Sequence, residues 1–202
     1  IAVGEDGPTQ QPIEQLAMLR SIPNTLVFRP CDDKEVFASY KIALESTKSP
    51  SCIILSRQNL PILENSSSYE GVKNGAYIVS KEEKEPDIVL IGTGSEVSLC
   101  LEAKELLKDE LDIRVVSMPC FELFDSTSKE YKESVLTKFY NRRISVEMAS
   151  TFGWGKYARF NFGIDRFGAS GKASDVVKKY HFTANDLKEY ILSCVKELKE
   201  EN

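Results

Sequence analysis

Residues 25–55 of the chain read TLVFRPCDDKEVFASYKIALESTKSPSCIIL, in which two short apolar runs flank a helical pattern. The runs at 25–28 and 51–55 have the length and composition of strands buried in a parallel sheet. Between them, Asp32 and Glu35 have capping-box spacing, with aspartate at the cap. Apolar side chains then follow at helical intervals, at positions 36, 37, 40, 43 and 44. A strand, a helix and a second strand in this order predict a parallel α/β unit with a right-handed crossover.

The rest of the chain predicts one helix before this unit and a second unit after it. The first helix is expected over 12–20, with Pro12 in its first turn. Strands are expected at 77–79, 87–91, 113–117 and 143–147, and helices at 95–109 and 128–136. A C-terminal helix begins at Thr183, with Asp186 in capping position, and carries an apolar stripe. The predicted fold class is α/β, with predominantly parallel sheets, flanking helices and two α/β units.

Residues 57–75, RQNLPILENSSSYEGVKNG, have no sustained hydrophobic period and contain a serine-rich patch. This composition predicts an irregular loop and linker. A domain boundary is expected within 66–75.

The composition excludes several classes of function. The chain has 202 residues, of which 42% are hydrophobic and 28% charged, as in a folded protein. Its net charge of -5 argues against nucleic-acid binding, and no apolar run approaches the roughly 20 residues that span a bilayer. Five widely spaced cysteines predict neither a disulfide framework nor a zinc site. The single histidine, His181, is interpreted as a packing or surface residue rather than a catalytic one. A reducing compartment fits these features best.

The opening segment GEDGPTQQP, residues 4–12, predicts a tight turn at the carboxyl end of a strand. Ligands of open α/β sheets bind at such ends. The carboxylate of Asp6 could accept hydrogen bonds from sugar hydroxyls there. The alternative is a capped turn in which Asp6 accepts only from nearby backbone N–H groups.

Arg57 follows the apolar run 51–55, so it is expected at the same carboxyl edge. Its planar guanidinium could bind a phosphate in bidentate fashion. The alternative is a surface arginine paired with Glu64 or another carboxylate.

Two glycine-rich segments favour structural interpretations. Residues 92–96, GTGSE, follow a strand and open a helix, which is compatible with phosphate binding. However, Thr93 and Glu96 have capping-box spacing, and this explains the segment without a ligand. Residues 163–172 predict a packed irregular loop, in which Asp165 and Arg166 tie the loop down or meet a partner subunit.

The segments discussed so far resemble transketolase when they are taken together and in order. They are GEDGPTQQPIEQLAMLRSIPN, VFRPCDDKEV, LSRQNLP, GTGSEV, STFGWGKY and GIDRFGASGKA. The resemblance covers essentially the whole chain. It implies that residues 1–67 end a thiamine pyrimidine-binding domain, that 68–75 are a linker, and that 76–202 form the C-terminal α/β domain.

The resemblance also implies an activity and its partners. Transketolases are homodimers that use thiamine diphosphate and a divalent cation, Mg²⁺ or Ca²⁺, to move a two-carbon ketol unit from a ketose phosphate to an aldose phosphate in the pentose phosphate pathway. By position, Asp6 resembles the acid that binds a substrate hydroxyl, and Arg57 resembles a clamp for the substrate phosphate. Gln10 stands where many transketolases have a substrate-binding histidine. Glutamine can still donate and accept a hydrogen bond, but it cannot exchange a proton near neutral pH.

The family's catalytic and cofactor-binding motifs are not matched within these residues, so none of them is assigned a catalytic, cofactor-binding or metal-binding role. Ile1-Ala2-Val3 has the pattern of a strand end, and we expect the chain to be part of a longer polypeptide, with a histidine shortly before Ile1. The chain alone is expected to be inactive and to need the N-terminal domains as partners. Alternatives are a non-catalytic dimerisation or binding module and a relative of dihydroxyacetone synthase. The expected location is cytoplasmic, with organellar targeting left open.

Overall fold

The computed structural model describes residues 1–67 and 69–201, and it confirms the α/β class with mainly parallel strands. β1 (Leu26–Phe28) and β2 (Ser51–Ile53) pair in parallel. The remaining strands are β3 (Tyr77–Ser80), β4 (Ile88–Gly92), β5 (Ile113–Ser117), β6 (Arg143–Val146) and β7 (Phe160–Phe162). They form a five-stranded sheet in the order β3-β5-β4-β6-β7, in which β3 alone pairs antiparallel with its neighbour.

The helices cover the faces of these sheets. They are α1 (Gln15–Arg20), α2 (Asp33–Glu45), α3 (Glu70–Lys73), α4 (Glu96–Leu106), α5 (Phe121–Ser126), α6 (Lys129–Leu136), α7 (Ala173–Lys179) and α8 (Ala184–Glu200). Side-chain caps begin α2, α6 and α8. Asp32 caps α2 by accepting the Glu35 N–H at 3.1 Å. Thr183 and Asp186 form the complete capping box predicted for α8. Within the described ranges, no helix combines the length and apolar character needed to cross a bilayer.

The largest core cluster lies in the second unit, between the five-stranded sheet and the helices α4 and α8. Leu90, Ile113 and Leu187 are fully buried in it. Ile1 and Ile13, from the opening segment, are buried in the same cluster with 5% and 2% of their surface exposed. The beginning of the chain is therefore packed against the second unit.

Four local expectations were wrong. The first helix begins at Gln15, so Pro12 lies before it and not in its first turn. The segment 57–75 is not irregular throughout, because it contains α3, in which Gly71 and Val72 are buried. Residues 1–3 lie in no strand, and a 3-10 turn at Gly4–Asp6 follows them. Thr93 and Glu96 form no capping box, because the Glu96 carboxylate is engaged by Arg29 instead. The predicted linker start, Ser68, and chain end, Asn202, lie outside the described residues, and the domain boundaries stay predictions.

Candidate functional site

The opening segment folds into two successive 3-10 turns, Gly4–Asp6 and Pro8–Gln10. Gly7 joins them with a φ of +89°, in the left-handed region that side chains with a Cβ disfavour. The Asp6 N–H donates to Val3 O at 3.1 Å, and the Gln10 N–H donates to Gly7 O at 3.2 Å. The backbone of the turn is thus satisfied internally, and the Asp6 carboxylate projects from it.

The structure brings Asp6 and Arg57 together, although only Arg57 follows a strand, because residues 1–3 before the turn lie in none. Arg57 follows β2 and donates a guanidinium N–H to the Asp6 carboxylate. The alternative interpretation paired Arg57 with Glu64 or another carboxylate, and the partner in the structure is another carboxylate, that of Asp6. The Arg57 side chain remains 69% exposed and that of Asp6 36% exposed. An ion pair this exposed contributes little to stability, so its groups remain available to a ligand.

Both residues line a shallow pocket of about 100 Å³. Its other lining residues are Ala2, Val3, Gly4, Glu5 and Ala173. Ala173, the first residue of α7, places the second unit at the wall of the pocket. Gln10 is exposed at the end of the second turn and is not among the lining residues.

The described residues also bear on the cation that the resemblance implies. Across 1–67 and 69–201, no group of three or more His, Cys, Asp or Glu side chains is placed to hold a metal ion.

A buried ion cluster, formed by Arg20, Arg29, Glu96 and Glu147, joins the two units. Arg20 donates to both carboxylate oxygens of Glu147, at 2.7 and 3.0 Å. Arg29 pairs with Glu96 and lies 3.4 Å from the Glu147 carboxylate. The indole N–H of Trp154 donates to Glu147 at 2.7 Å. Such charges can be buried only because each is paired and hydrogen-bonded.

The cluster shifts the pKa of Glu147 and of Arg29 in the direction expected for ionised groups. Burial alone would raise the pKa of Glu147, but the charges of Arg20 and Arg29 outweigh it and the pKa is lowered. Burial would likewise lower the pKa of Arg29, but Glu96 and Glu147 raise it. These groups therefore remain charged in the folded protein at neutral pH.

Arg29 also settles the interpretation of the glycine-rich loop 92–96. Its guanidinium donates to Thr93 O at 2.9 Å, and the Gly94 N–H donates to Arg29 O at 3.0 Å. A Cβ added to Gly94 would lie 2.9 Å from Arg29 Nε. The loop is thus filled by a guanidinium, and the capping box that was expected to explain the segment does not form.

The remaining candidates have structural contacts. Asp165 accepts from the Ser150 hydroxyl at 2.9 Å and from the Thr151 N–H at 2.8 Å, so it ties the loop 163–172 down. His181 is a surface residue with a 79% exposed side chain, 3.5 Å from the Asp186 carboxylate.

The sequence contains a signal for the ion cluster that was not recognised as one. Arg29 follows β1 and Glu147 follows β6, and Glu96 stands just beyond β4, so opposite charges follow the carboxyl ends of strands in both sheets. Gln11 was also missed, and here no signal distinguishes it from its neighbour Gln10. Its side chain is 4% exposed and bonded to Ala169.

The two α/β units follow one another along the chain and meet at one edge. This arrangement defines a class of paired protein domains. Residues 1–62 match the transketolase pyrimidine binding domain, and residues 75–183 match the transketolase-like TK C-terminal domain. The chain belongs to the transketolase family.

Individual relatives agree with this membership. A transketolase of Bacillus subtilis (strain 168) is 48% identical over 190 residues, which cover 91% of this chain and 28% of that protein. Transketolase-1, chloroplastic, of Arabidopsis thaliana is 50% identical over 189 residues, 91% of this chain and 25% of that protein. A crystal structure of Pichia stipitis transketolase in complex with sedoheptulose-7-phosphate superposes with a TM-score of 0.93 at 46% identity, over 98% of this chain and 29% of that one. The chain spans less than a third of the length of these relatives.

Proposed function

We propose that this chain is part of a transketolase, in which it forms the end of the pyrimidine-binding domain (1–67), a linker (68–75) and the C-terminal domain (76–202). Membership of the family supports this proposal. The complete enzyme would transfer a two-carbon ketol unit between sugar phosphates, as a cytoplasmic homodimer of the pentose phosphate pathway. Thiamine diphosphate, held with Mg²⁺ or Ca²⁺ by other parts of the enzyme, supplies the electron sink for this chemistry when bound.

The residues of this chain bind the sugar phosphate in our proposal. The observation that carries it is the meeting of the Asp6 carboxylate and the Arg57 guanidinium at an open pocket. Arg57 has exposed N–H groups in the planar arrangement that fits phosphate, and Asp6 can accept from a sugar hydroxyl. Since the pair between them is exposed, a substrate can replace it at little cost in free energy.

Gln10 has a more limited role in the proposal. It is exposed on the turn that carries Asp6, so its amide can donate to or accept from a substrate hydroxyl. It does not transfer a proton.

Arg57→Ala tests the proposal in a transketolase that contains residues 1–202. A charge-assisted bond to phosphate contributes about 1.5–3 kcal/mol, so the Michaelis constant for xylulose 5-phosphate should rise by roughly tenfold or more. The Michaelis constant for a ketose without phosphate should stay the same, because that substrate has no partner for the guanidinium. Arg142→Ala is the matched control, since Arg142 pairs with Glu85 at the amino end of β6.

An equal Michaelis constant for the phosphorylated donor in the variant and the parent enzyme would refute the phosphate clamp. Turnover with formaldehyde in place of ribose 5-phosphate as acceptor would favour a dihydroxyacetone synthase-like activity over the one proposed.

A further inference from the structure

We infer that Gln11 and the loop 168–171 of the second unit position the substrate-binding turn, so that the C-terminal domain sets the geometry of a site formed by the preceding domain. This inference rests on the sugar-phosphate site proposed for Asp6 and Arg57.

Gln11 forms a two-bond clamp with one residue of the loop. Its side-chain N–H donates to Ala169 O at 2.8 Å, and its side-chain oxygen accepts the Ala169 N–H at 3.1 Å. Gln11 is 4% exposed, and both bonds are part-buried. A Cβ on Gly168 would lie 2.0 Å from the Gln11 side-chain oxygen, so a larger residue here would displace the Gln11 amide.

A second contact joins the turn and the loop through their backbones. The Gly171 N–H donates to Gly4 O at 3.1 Å. A Cβ on Gly4 would lie 2.6 Å from Gly171 O and 2.8 Å from a methyl group of Val176 in α7. The close approach of the two segments thus depends on glycine at position 4, two residues before Asp6.

Both ends of the turn are anchored to the same unit. Ile1 and Ile13 are buried in the core cluster of the second unit, and the Ser150 N–H donates to Ile13 O at 2.8 Å. Asp6 is therefore carried by a segment fixed to the second unit, whereas Arg57 follows β2 in the first. The separation of the carboxylate and the guanidinium is set by how the two units dock.

The loop is itself held in place, as a positioning element must be. Asp165 fastens its start to residues 150–151, and the Tyr180 hydroxyl donates to Phe167 O just before the clamp. The guanidinium of Arg166 lies over the Tyr180 ring, 4.5 Å from its centroid.

Gln11→Met, in a transketolase that contains residues 1–202, removes both bonds to Ala169 and nearly keeps the side-chain volume. We expect kcat/KM for xylulose 5-phosphate to fall roughly tenfold, mainly through KM, because a displaced turn misplaces Asp6. The affinity for the sugar phosphate, measured by isothermal titration calorimetry, should fall by the same factor. Gln15→Met, at an exposed position in α1, is the matched control and should leave both values unchanged.

A double-mutant cycle separates positioning from a general loss of stability. In an Asp6→Ala background, the contact that Gln11 positions is already lost, so Gln11→Met should change KM no further. A further rise in KM as large as in the parent enzyme would overturn the inference, and so would an unchanged KM and affinity in Gln11→Met alone. Gly168→Ala displaces the same clamp from the loop side and gives the same readout if Gln11→Met does not fold.

The proposed function can fail separately. If Arg57→Ala raises KM and Gln11→Met does not, only the positioning role is wrong. If Arg57→Ala has no effect, the substrate site itself is wrong.

Discussion

Removal of the Glu147 side chain is expected to destabilise the chain more than removal of any surface carboxylate. Glu147 is 1% exposed, and it is the carboxylate that pairs with Arg20 through two hydrogen bonds. Arg20 is only 7% exposed and its guanidinium lies 3.9 Å from the centre of the Phe121 ring, so its charge would remain buried without a partner. Breaking a buried pair from one side costs about 3–5 kcal/mol. Glu147→Ala should therefore lower the free energy of unfolding by about 4 kcal/mol, which corresponds to about 8–16 °C in melting temperature for a chain of this size.

Urea and thermal denaturation followed by circular dichroism measure this loss. Glu147→Gln, which keeps the volume and removes the charge, should show most of the same loss. Glu85→Ala is the control, because Glu85 is 62% exposed in its pair with Arg142 and its removal should cost less than about 1 kcal/mol. A loss for Glu147→Ala no larger than that of the control would show that the cluster does not hold the units together.

Two further variants test other parts of the fold. Burial raises the pKa of Glu35, so the native state binds its proton more tightly than the unfolded chain, and stability is lost as pH rises above about 4.3 toward the native pKa. Glu35→Gln removes this titration, so its urea midpoint relative to the parent chain should increase between pH 4 and pH 8; a constant difference would contradict the assignment. Thr183→Ala should cost about 1 kcal/mol by removing the cap of α8, measured by the same denaturation. Ser193→Ala, exposed in the same helix, should cost nothing, and equal effects of the two substitutions would refute a specific role of the cap.

The fold class could be predicted because its signals are local. The strand at 88–92 is buried at every position, and it shows in the sequence as an uninterrupted apolar run. Thr183 and Asp186 mark the start of α8 because a capping box involves only neighbouring residues. Glu96 has the same spacing from Thr93, yet its carboxylate binds Arg29, 67 residues earlier. No local pattern distinguishes the two cases, because the competing partner comes from another unit.

In the candidate site, too, some features could be predicted from the sequence and others could not. Asp6 and Arg57 do lie close together, but the expected reason holds only for Arg57, which follows β2, because no strand precedes Asp6. The contacts that support the turn could not be predicted, because Gln11 and Ala169 are 158 residues apart. Ala169 takes part only through backbone groups, which do not distinguish it from other residues. The roles of Asp6 and Arg57 toward a substrate remain predictions, which the variants described above will test.

The insertion of Arg29 into the loop 92–96 has a consequence for ligand binding. The carboxyl edge of an open α/β sheet is where ligands ordinarily bind, but in the second unit this edge receives a side chain of the first. A ligand that entered the loop would first have to displace the guanidinium from Thr93 O and from the Glu96 carboxylate.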